Sequence, residues 1–305
     1  MTTPGRWPTT ASDAPHAPVL AAEVVSALVT RDGGVYVDCT LGAGGHTAAL
    51  LDAGAARVIG IDRDETAIAL ARQRLAAFGG RVEFVHADYR DLPAVLAARQ
   101  APPVDGVLAD LGVSSMQFDE AARGFSFREG GPLDMRMDQS QGAPLAERLA
   151  DVDEATLADV IWQFGEERRS RRVARAIVAA RDRGALDSTV ALASAVRRGV
   201  GAHGWQRIDP ATRTFQALRI WVNGELDGLA AFLVAAVGAL RRGGRLAVIA
   251  FHSLEDRIVK HAVRDLAAQG TVTLVTRRPV TAGEAEVAGN PRARSARLRV
   301  VERVA

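Results

Sequence analysis

The stretch VYVDCTLGAGGHT, residues 35–47, decides the fold of this chain. It reads as an apolar strand that runs into a glycine-rich turn and then into a helix. Gly42, Gly44 and Gly45 let the backbone turn tightly and approach a ligand closely, because no Cβ stands in the way. The start of the following helix offers unpaired N–H groups. Parallel α/β sheets hold nucleotide-like ligands at such a turn.

A second apolar strand, RVIGID, ends in Asp62, where a carboxylate can accept both hydroxyls of a ribose. This pair of features belongs to two ligand classes, dinucleotides and S-adenosylmethionine. The dinucleotide fingerprint requires a third glycine at the position of Thr47, so the turn favours S-adenosylmethionine. An ordinary strand, turn and helix without a ligand is the remaining alternative.

Two further apolar stretches, at 81–89 and 104–115, each follow an Ala- and Leu-rich helical segment. Four alternations of strand and helix predict an α/β fold with a doubly wound parallel sheet. The ligand of such a sheet lies at the carboxyl ends of the strands. We therefore expect four strand-end carboxylates to converge on one cleft: Asp38, Asp62, Asp88 and Asp110.

The alternation stops between about 118 and 213, where helical segments replace the strands, and it resumes with GGRLAVIAFHS at 243–253. This predicts a helical insertion between the fourth and fifth strands, with VTLVTR and ARLRVVERV as closing strands. The spacing of apolar residues over 212–240 predicts one helix laid on the sheet. Its apolar face would carry Phe215, Leu218, Val222, Leu226, Leu229 and Leu233. The predicted segments are a disordered tail at 1–15, the sheet domain at 16–117 and 214–305, and the insertion at 118–213.

The composition is that of an ordinary globular protein of 305 residues, 48% of them hydrophobic. The formal net charge is only +2, and Lys260 is the only lysine, so only local clusters of arginine can indicate an acidic partner. Cys39 is the single cysteine, and its place after an apolar strand predicts a small buried residue rather than a nucleophile. No apolar run is long enough to span a bilayer, and no signal peptide is evident, so we expect a cytoplasmic protein without a membrane partner.

Several longer motifs resemble one known family, the ribosomal RNA small subunit methyltransferase H enzymes. The resemblance covers nearly all of the chain after the tail. It rests on HAPVL (16–20), DCTLGAGGHT (38–47), GIDRD (60–64), DLGVSSMQFD (110–119), RGFSF (123–127), GPLDMRMD (131–138), ATRTFQALRIWVNGEL (211–226), FHSLEDRIVK (251–260) and NPRARSARLR (290–299).

The resemblance implies a class I S-adenosylmethionine-dependent methyltransferase fold, interrupted by a helical domain between strands 4 and 5. It implies methylation of N4 of a P-site cytosine, in the decoding centre of 16S rRNA in the small ribosomal subunit. The residues that it places on the cofactor are Gly44, Gly45, His46, Asp62, Tyr89, Asp110 and Gln117. Tyr89 stands where relatives have Phe, so the resemblance supports adenine stacking but no role for the hydroxyl.

Methyl transfer to an exocyclic amine needs alignment and an acceptor for an N–H bond, and Asp110 at the end of the fourth strand is the first candidate. Ser114 and His252 are the other catalytic candidates. The alternative for His252 is a helix-entry position with Ser253 as cap and Asp256 completing a capping box. The loop after Asp110 lacks the aromatic platform of many amino-group methyltransferases. The rings expected to stack on the target base instead are Phe118, Phe125 and Phe127.

Two arginine clusters are candidates for RNA contact, one in the insertion and one near the carboxyl terminus. The first contains Arg168, Arg169, Arg171, Arg172 and Arg175, and the second contains Arg292, Arg294, Arg297 and Arg299. The alternative for each is a solvated charged face. The six histidines show no metal-ligand spacing, so we expect no metal site.

Two other functions compete with rRNA methylation. A nicotinamide-dependent oxidoreductase could use the same sheet, and a non-catalytic RNA-binding assembly factor could retain the same pocket. A small-molecule methyltransferase would have no use for the arginine-bearing insertion. The sequence leaves open whether the substrate is free rRNA or a ribosomal particle, although the resemblance points to the assembled small subunit. A homodimer is an open expectation.

Overall fold

The computed structural model describes residues 18–201 and 209–305, and these form two compact units. The predicted tail at 1–15 lies outside the described residues. The first unit contains 18–62, 66–111 and 230–305, and the second contains 63–65 and 112–229.

A seven-stranded sheet is the centre of the first unit. Its strands are β1 (Val35–Asp38), β2 (Arg57–Asp62), β3 (Val82–His86), β4 (Val104–Asp110), β5 (Leu240–Ala250), β6 (Val272–Leu274) and β7 (Arg297–Arg303). They lie in the order β3-β2-β1-β4-β5-β7-β6, with the first five parallel and β7 antiparallel to both of its neighbours. This confirms the predicted class I methyltransferase sheet. The strand order reverses between β1 and β4, where ligands of such sheets bind.

Thirteen α-helices accompany the sheet in the described part of the chain. Those before the insertion are α1 (Ala21–Leu28), α2 (Gly45–Asp52), α3 (Glu65–Arg74) and α4 (Leu92–Ala98). Those of the insertion are α5 (Ser115–Asp119), α6 (Leu145–Asp151), α7 (Glu154–Gly165), α8 (Ser170–Asp182), α9 (Thr189–Val200) and α10 (Ala211–Asn223). The last three are α11 (Leu229–Ala239), α12 (Ser253–Ala268) and α13 (Glu284–Gly289). Across 18–201 and 209–305, none of them has the length and apolar character needed to cross a membrane.

The interior strand β4 shows why this sequence forms a covered parallel sheet. Every residue of β4 except Asp110 is buried, as expected for a strand covered on both faces. Cys39, just beyond β1, is buried as predicted, and burial raises the pKa of its thiol well above the ordinary value. The thiol is therefore not activated as a nucleophile.

The amino ends of β1 and β4 are joined by a buried carboxylate. Asp105 accepts hydrogen bonds from Arg31 Nε at 2.7 Å and from the backbone N–H of Val35 at 2.8 Å, and it also pairs with Arg241. These partners outweigh the effect of burial and lower the pKa of Asp105 to about 2. This anchor lies at the edge of the sheet opposite the strand carboxyl ends, so it serves the fold rather than the ligand site.

The second unit is a helical assembly with its own apolar core, which includes Leu157, Ile161, Ile177, Leu192 and Leu218. Between β4 and β5 no strand occurs in the part that the structure describes, which agrees with the predicted helical insertion.

The prediction of one sheet-covering helix over 212–240 is wrong. Helix α10 ends at Asn223, where Gly224 takes the left-handed conformation at φ 56°, and α11 begins at Leu229. Phe215, Leu218 and Val222 pack into the core of the second unit instead of onto the sheet. The second unit accordingly extends to 229, beyond the predicted end of the insertion at 213. Apolar spacing reveals a buried helix face but not the partner that covers it.

Candidate cofactor site

The glycine turn after β1 has the geometry that the sequence predicts. Gly42 and Gly44 have φ values of 50° and 83°, in the left-handed region that favours glycine. A Cβ on Gly44 would lie 2.7 Å from Leu75 Cδ1, whereas a Cβ on Gly42 would meet only Thr40 O at 3.9 Å. A side chain at Gly44 would strain the left-handed backbone and displace the buried Leu75, while the space beside Gly42 stays open for a ligand.

Asp62 organises this turn from the end of β2. Asp62 Oδ2 accepts a hydrogen bond from the backbone N–H of Gly42 at 2.6 Å, and the Asp62 side chain is only partly buried. The carboxylate thus lies beside the turn where the ribose of a nucleotide-like ligand is expected. The same loop also reaches β4, because Thr40 Oγ1 accepts the backbone N–H of Asp110 at 2.6 Å.

His46 and Asp110 form the most unusual polar contact of the site. His46 Nε2 lies 3.5 Å from Asp110 Oδ2, an ion-pair separation without good hydrogen-bond geometry. Among the described residues, neither ring nitrogen of His46 nor Asp110 Oδ1 has a hydrogen-bond partner, although all three atoms are buried. Buried polar atoms without partners are costly, so an arrangement of this kind points to a missing ligand group.

Asp38 is a site residue whose partners the sequence reasoning missed. It is fully buried at the end of β1, with Oδ1 accepting the backbone N–H of Thr40 at 3.2 Å and Oδ2 accepting Thr47 Oγ1 at 2.8 Å. Thr47, noted in the sequence only as the residue that breaks the dinucleotide fingerprint, therefore has a structural task of its own. The departure from glycine was itself the signal that could have revealed it.

Asp38, Asp62 and Asp110 lie around the turn, and the fourth strand-end carboxylate, Asp88, lies in the loop after β3. Asp88 caps the short helical turn after β3, accepting the backbone N–H of Arg90 at 2.9 Å and pairing with its guanidinium at 2.7 Å. Tyr89 follows directly and is buried, with its ring edge-on to Phe232 at a centroid distance of 4.7 Å. Tyr89 thus forms a rigid aromatic surface after β3, as adenine stacking would require.

His252 begins α12, and the structure corrects the predicted cap. His252 itself is the cap, since its Nδ1 accepts the backbone N–H of Glu255 at 3.3 Å. Glu255 Oε2 in turn accepts the backbone N–H of Phe251 at 2.9 Å. The capping pair is therefore His252 and Glu255, each one residue before the predicted pair of Ser253 and Asp256. His252 Nε2 also lies 3.1 Å from Glu255 Oε1. His252 thus has a capping role through Nδ1, while its buried Nε2 has no hydrogen-bond partner among the described residues, and its catalytic role stays a prediction.

In the second unit, Ser114 and Gln117 form a capping box on α5. Ser114 Oγ accepts the backbone N–H of Gln117 at 3.3 Å, and Gln117 Oε1 accepts that of Ser114 at 3.1 Å. Gln117 Nε2 donates to Asp64 Oδ2 at 2.7 Å, and Arg123 pairs with the same oxygen at 2.8 Å. Ser114 therefore has a capping role, and its catalytic role stays a prediction.

The predicted stacking rings differ in accessibility. Phe125 is 4% exposed and belongs to the core of the second unit, so the expectation that it stacks on a base is not supported by its position. Phe127 is partly buried, edge-on to Phe215 at 4.7 Å, with the Arg197 guanidinium 5.6 Å from its ring centre. Phe118 is partly buried against the same core. All three rings thus serve mainly to pack against the core of the second unit.

The insertion arginines divide into exposed and engaged side chains. Arg168, Arg171 and Arg172 are exposed at the start of α8. Arg169 donates to the carbonyl of Val200, and Arg175 donates to Glu154 Oε1 at 3.2 Å. Arg175 is also exposed, with 73% of its side-chain surface accessible, but its guanidinium is paired with Glu154, so the first three are the stronger candidates for phosphate contact.

The carboxyl-terminal arginines divide similarly. Arg297 and Arg299 both pair with the buried Asp256, at 2.9 and 2.7 Å, so they tie β7 to α12. Arg299 is nearly buried, whereas the Arg297 side chain keeps 49% of its surface exposed. Arg294 is exposed and Arg292 partly buried, both in the helical turn before β7.

The site of the first unit fits the methyl donor that the resemblance implies. Asp62 would hold the ribose hydroxyls, and the unpartnered Oδ1 of Asp110 offers a buried acceptor for an N–H group. The open side of Gly42 leaves room for the ligand against the turn. A pyrophosphate-binding turn would have a third glycine at position 47. Thr47 stands there instead and donates a hydrogen bond to Asp38.

Comparison with known proteins agrees with this chemistry. The model of the MraW methylase family matches residues 13–304. The chain is 57% identical to the ribosomal RNA small subunit methyltransferase H of Sorangium cellulosum, over 95% of this chain and 91% of the relative. It is 54% identical to the protein of the same name from Nitrobacter hamburgensis, over 97% and 93%. These findings confirm the predicted resemblance, and with the observed sheet they confirm a methyltransferase that uses S-adenosylmethionine. The chain belongs to the MraW methylase family.

Proposed function

We propose that the chain methylates N4 of a P-site cytosine in the 16S rRNA of the small ribosomal subunit. The observation that carries the proposal is the carboxylate of Asp110, whose Oδ1 is buried at the switch point of the sheet without a partner among the described residues. The names of the relatives, all ribosomal RNA small subunit methyltransferase H, support the choice of substrate.

Asp110 suits the chemistry of an amine acceptor. The lone pair on N4 of cytosine is delocalised into the ring, so the nitrogen is a poor nucleophile. An oxygen that accepts one N–H bond localises the lone pair as the nitrogen becomes tetrahedral. S-adenosylmethionine, when bound, would supply a methyl group already activated by its sulfonium. The tasks left to the chain are to hold the two partners in line and to present the acceptor.

RNA contact is assigned in this proposal to arginines that keep at least part of their surface exposed. Arg168, Arg171 and Arg172 of the insertion, with Arg292, Arg294 and Arg297 before and on β7, would bind phosphates. Such contacts position RNA without reading its sequence. Asp256 neutralises part of the charge of Arg297, so Arg294 is the stronger candidate in the second group. Phe127 is the ring of its loop that retains some exposure for a flipped base.

The decisive experiment is methyl transfer from labelled S-adenosylmethionine to small subunits that lack the modification. Nucleoside mass spectrometry identifies the product, and Asp110→Asn is assayed beside the exposed control Asp52→Asn. We expect N4-methylated cytidine from the native chain and Asp52→Asn, and a loss of at least about a hundredfold for Asp110→Asn, on the scale of a removed electrostatic group.

Other outcomes would contradict the proposal in distinct ways. Binding of cofactor and subunits without methyl incorporation would identify an assembly factor. Methyl groups on another base or on protein would retain the fold and change the substrate. Full activity of Asp110→Asn would remove the acceptor role. Replacing small subunits by free rRNA in the same assay determines which particle is the substrate.

A further inference from the structure

We propose that Asp38 is a positioning residue of the cofactor site, which acts through Thr47 and His46 to keep the His46 ring protonated beside Asp110. The cation then faces Oδ2 of Asp110 and leaves Oδ1 for the ligand. The inference rests on the proposed role of Asp110 as an acceptor, and it concerns groups of the first unit alone.

The first step is geometric, because Asp38 ties the start of α2 to the end of β1. Its two carboxylate oxygens bind Thr40 N–H at 3.2 Å and Thr47 Oγ1 at 2.8 Å. Thr47 follows His46 directly in the first turn of α2, so this tie sets the position of the imidazole. His46 is itself 6% exposed, with Nε2 at 3.5 Å from Asp110 Oδ2.

The second step is electrostatic, because His46 lies among three carboxylates from three elements. Burial opposes its protonation, and the positive end of the α2 dipole acts in the same direction. Asp110 on β4, Asp38 on β1 and Glu286 on α13 act in the other direction. Together the attractions to these three carboxylates outweigh the effect of burial, so the pKa of His46 is raised above its ordinary value of 6.5.

The third step is reciprocity between Asp38 and His46. Burial raises the pKa of Asp38, while the charge of His46 and the bonds from Thr47 and Thr40 oppose that rise. Each charge therefore favours the other. Removing the charge of Asp38 must lower the pKa of His46, because one of the three attractions is lost.

The consequence is a carboxylate that stays an acceptor. A protonated His46 lies beside Oδ2 of Asp110, and Oδ1 remains available for an N–H group of the ligand. When His46 loses its proton, Asp110 loses the compensating cation and the site becomes more negative. The affinity for the cofactor in the neutral range is therefore linked to the protonation of His46.

The test is an NMR titration of the histidine rings in the ligand-free protein, with His46→Gln identifying the signal. We expect His46 to titrate above pH 6.5 in the native chain and about one unit lower in Asp38→Asn, one unit being a modest change in a charge interaction. Asp105→Asn is the matched control, because it removes another buried carboxylate of the same sheet whose partners are Arg31, Val35 and Arg241. It should leave the titration of His46 unchanged.

A second pair of variants covers the case in which Asp38→Asn does not fold. Thr47→Val removes the hydroxyl that donates to Asp38, and Thr47→Ser keeps it. We expect Thr47→Val to lower the pKa of His46 and Thr47→Ser to leave it near the native value. Calorimetric binding of S-adenosylmethionine, whose sulfonium is positively charged, should strengthen as the pH rises through the pKa of His46 in each variant, because the site then becomes more negative.

The inference is overturned if His46 titrates at the native pH in Asp38→Asn and in Thr47→Val, or if Asp105→Asn shifts it equally. These measurements involve neither RNA nor methyl transfer. A normal methylation of small subunits with an unmoved His46 would remove only this inference, whereas the expected shifts without methylation would remove only the proposed function.

Discussion

Asp105 and Asp110 are carboxylates of one strand with opposite surroundings. Asp105 is satisfied by two arginines and a backbone N–H, whereas Asp110 Oδ1 has no partner in the described part of the chain. A fully satisfied carboxylate stabilises the fold, and an unsatisfied one costs stability that a bound ligand can repay. The two ends of β4 thus separate structure from function within seven residues.

Asp105 should make stability depend on acid. Its folded pKa of about 2 lies below the unfolded value of 3.8, so its contribution is complete above about pH 4 and is lost as the pH falls through about 2. We expect Asp105→Asn to lower the free energy of unfolding at pH 7, and the difference from the native chain to shrink between pH 4 and pH 2. Urea unfolding at several pH values measures this, and a difference independent of pH would contradict it.

Asp62 should contribute to cofactor affinity rather than to the fold. In Asp62→Asn the amide oxygen can still accept Gly42 N–H, so we expect little change in the unfolding midpoint. Loss of a charged acceptor costs about 1.5–3 kcal/mol, which corresponds to a rise of about tenfold or more in the Kd for S-adenosylmethionine. Calorimetry with Asp52→Asn as the control checks this, and an unchanged Kd would exclude the ribose contact.

At the residue scale, the features that could be predicted from the sequence are those that the backbone conformation requires. The glycine turn and Asp62 follow from the motif itself, because few residues permit that path of the chain. The hydrogen bond from Thr47 to Asp38 and the capping roles of Ser114 and His252 depend on distances between side chains. The spacing of residues along the sequence does not reveal those distances. Hydroxyl, imidazole and amide groups serve equally as caps and as catalysts, and only the neighbouring atoms distinguish the two.

Helices α8 and α9 approach closely because Gly199 has no side chain. A Cβ on Gly199 would lie 2.6 Å from Val173 Cα and 2.9 Å from Arg172 O, and backbone atoms cannot yield as a side chain can. We expect Gly199→Ala to lower the free energy of unfolding of the second unit by about 1–3 kcal/mol. The control is Gly238→Ala in α11, where a Cβ meets nothing within 4 Å and alanine favours the helix. Equal stability of the two variants would refute the packing argument.

The start of α5 offers a test that separates capping from catalysis at Ser114. Ser114→Ala should destabilise the helix start by about 1 kcal/mol, since the Gln117 N–H loses its acceptor. Ser114→Asn keeps a capping oxygen but has no hydroxyl. We expect it to retain methylation activity, measured as product per folded molecule. Inactivity of a stable Ser114→Asn would instead favour a catalytic hydroxyl.

Elements with a continuous apolar pattern were predictable, and their partners were not. The interior strands have runs that only a covered sheet accommodates, so their existence and order of appearance could be read from the chain. Helix α10 has an equally clear apolar face, yet that face meets the second unit. Gly224 marks the break before α11, but a single glycine in a helical pattern is common and does not by itself end a helix.

For the whole molecule, a net charge of +2 cannot by itself attract RNA, so the proposed contacts must come from local clusters. Replacing Arg168, Arg171 and Arg172 by alanine should weaken binding to small subunits and reduce the slope of log affinity against log salt by about 2–3, roughly one per phosphate contact. Arg57→Ala, whose guanidinium pairs with Glu83, serves as the control and should leave the slope unchanged. Filter binding from low to high salt measures this, and an unaltered slope in the triple variant would exclude the α8 cluster.

The sheet of the first unit is interrupted in the chain, and this has a consequence for biosynthesis. Strand β4 ends at Asp110, but its neighbour β5 begins at Leu240 and β7 comes later still. At ordinary translation speeds of about 5–20 residues per second, the free edge of β4 waits on the order of ten seconds for its partner. An unpaired apolar strand edge can recruit other chains during that time. The helices of the second unit emerge during this interval and can form their own apolar core before the sheet of the first unit is complete.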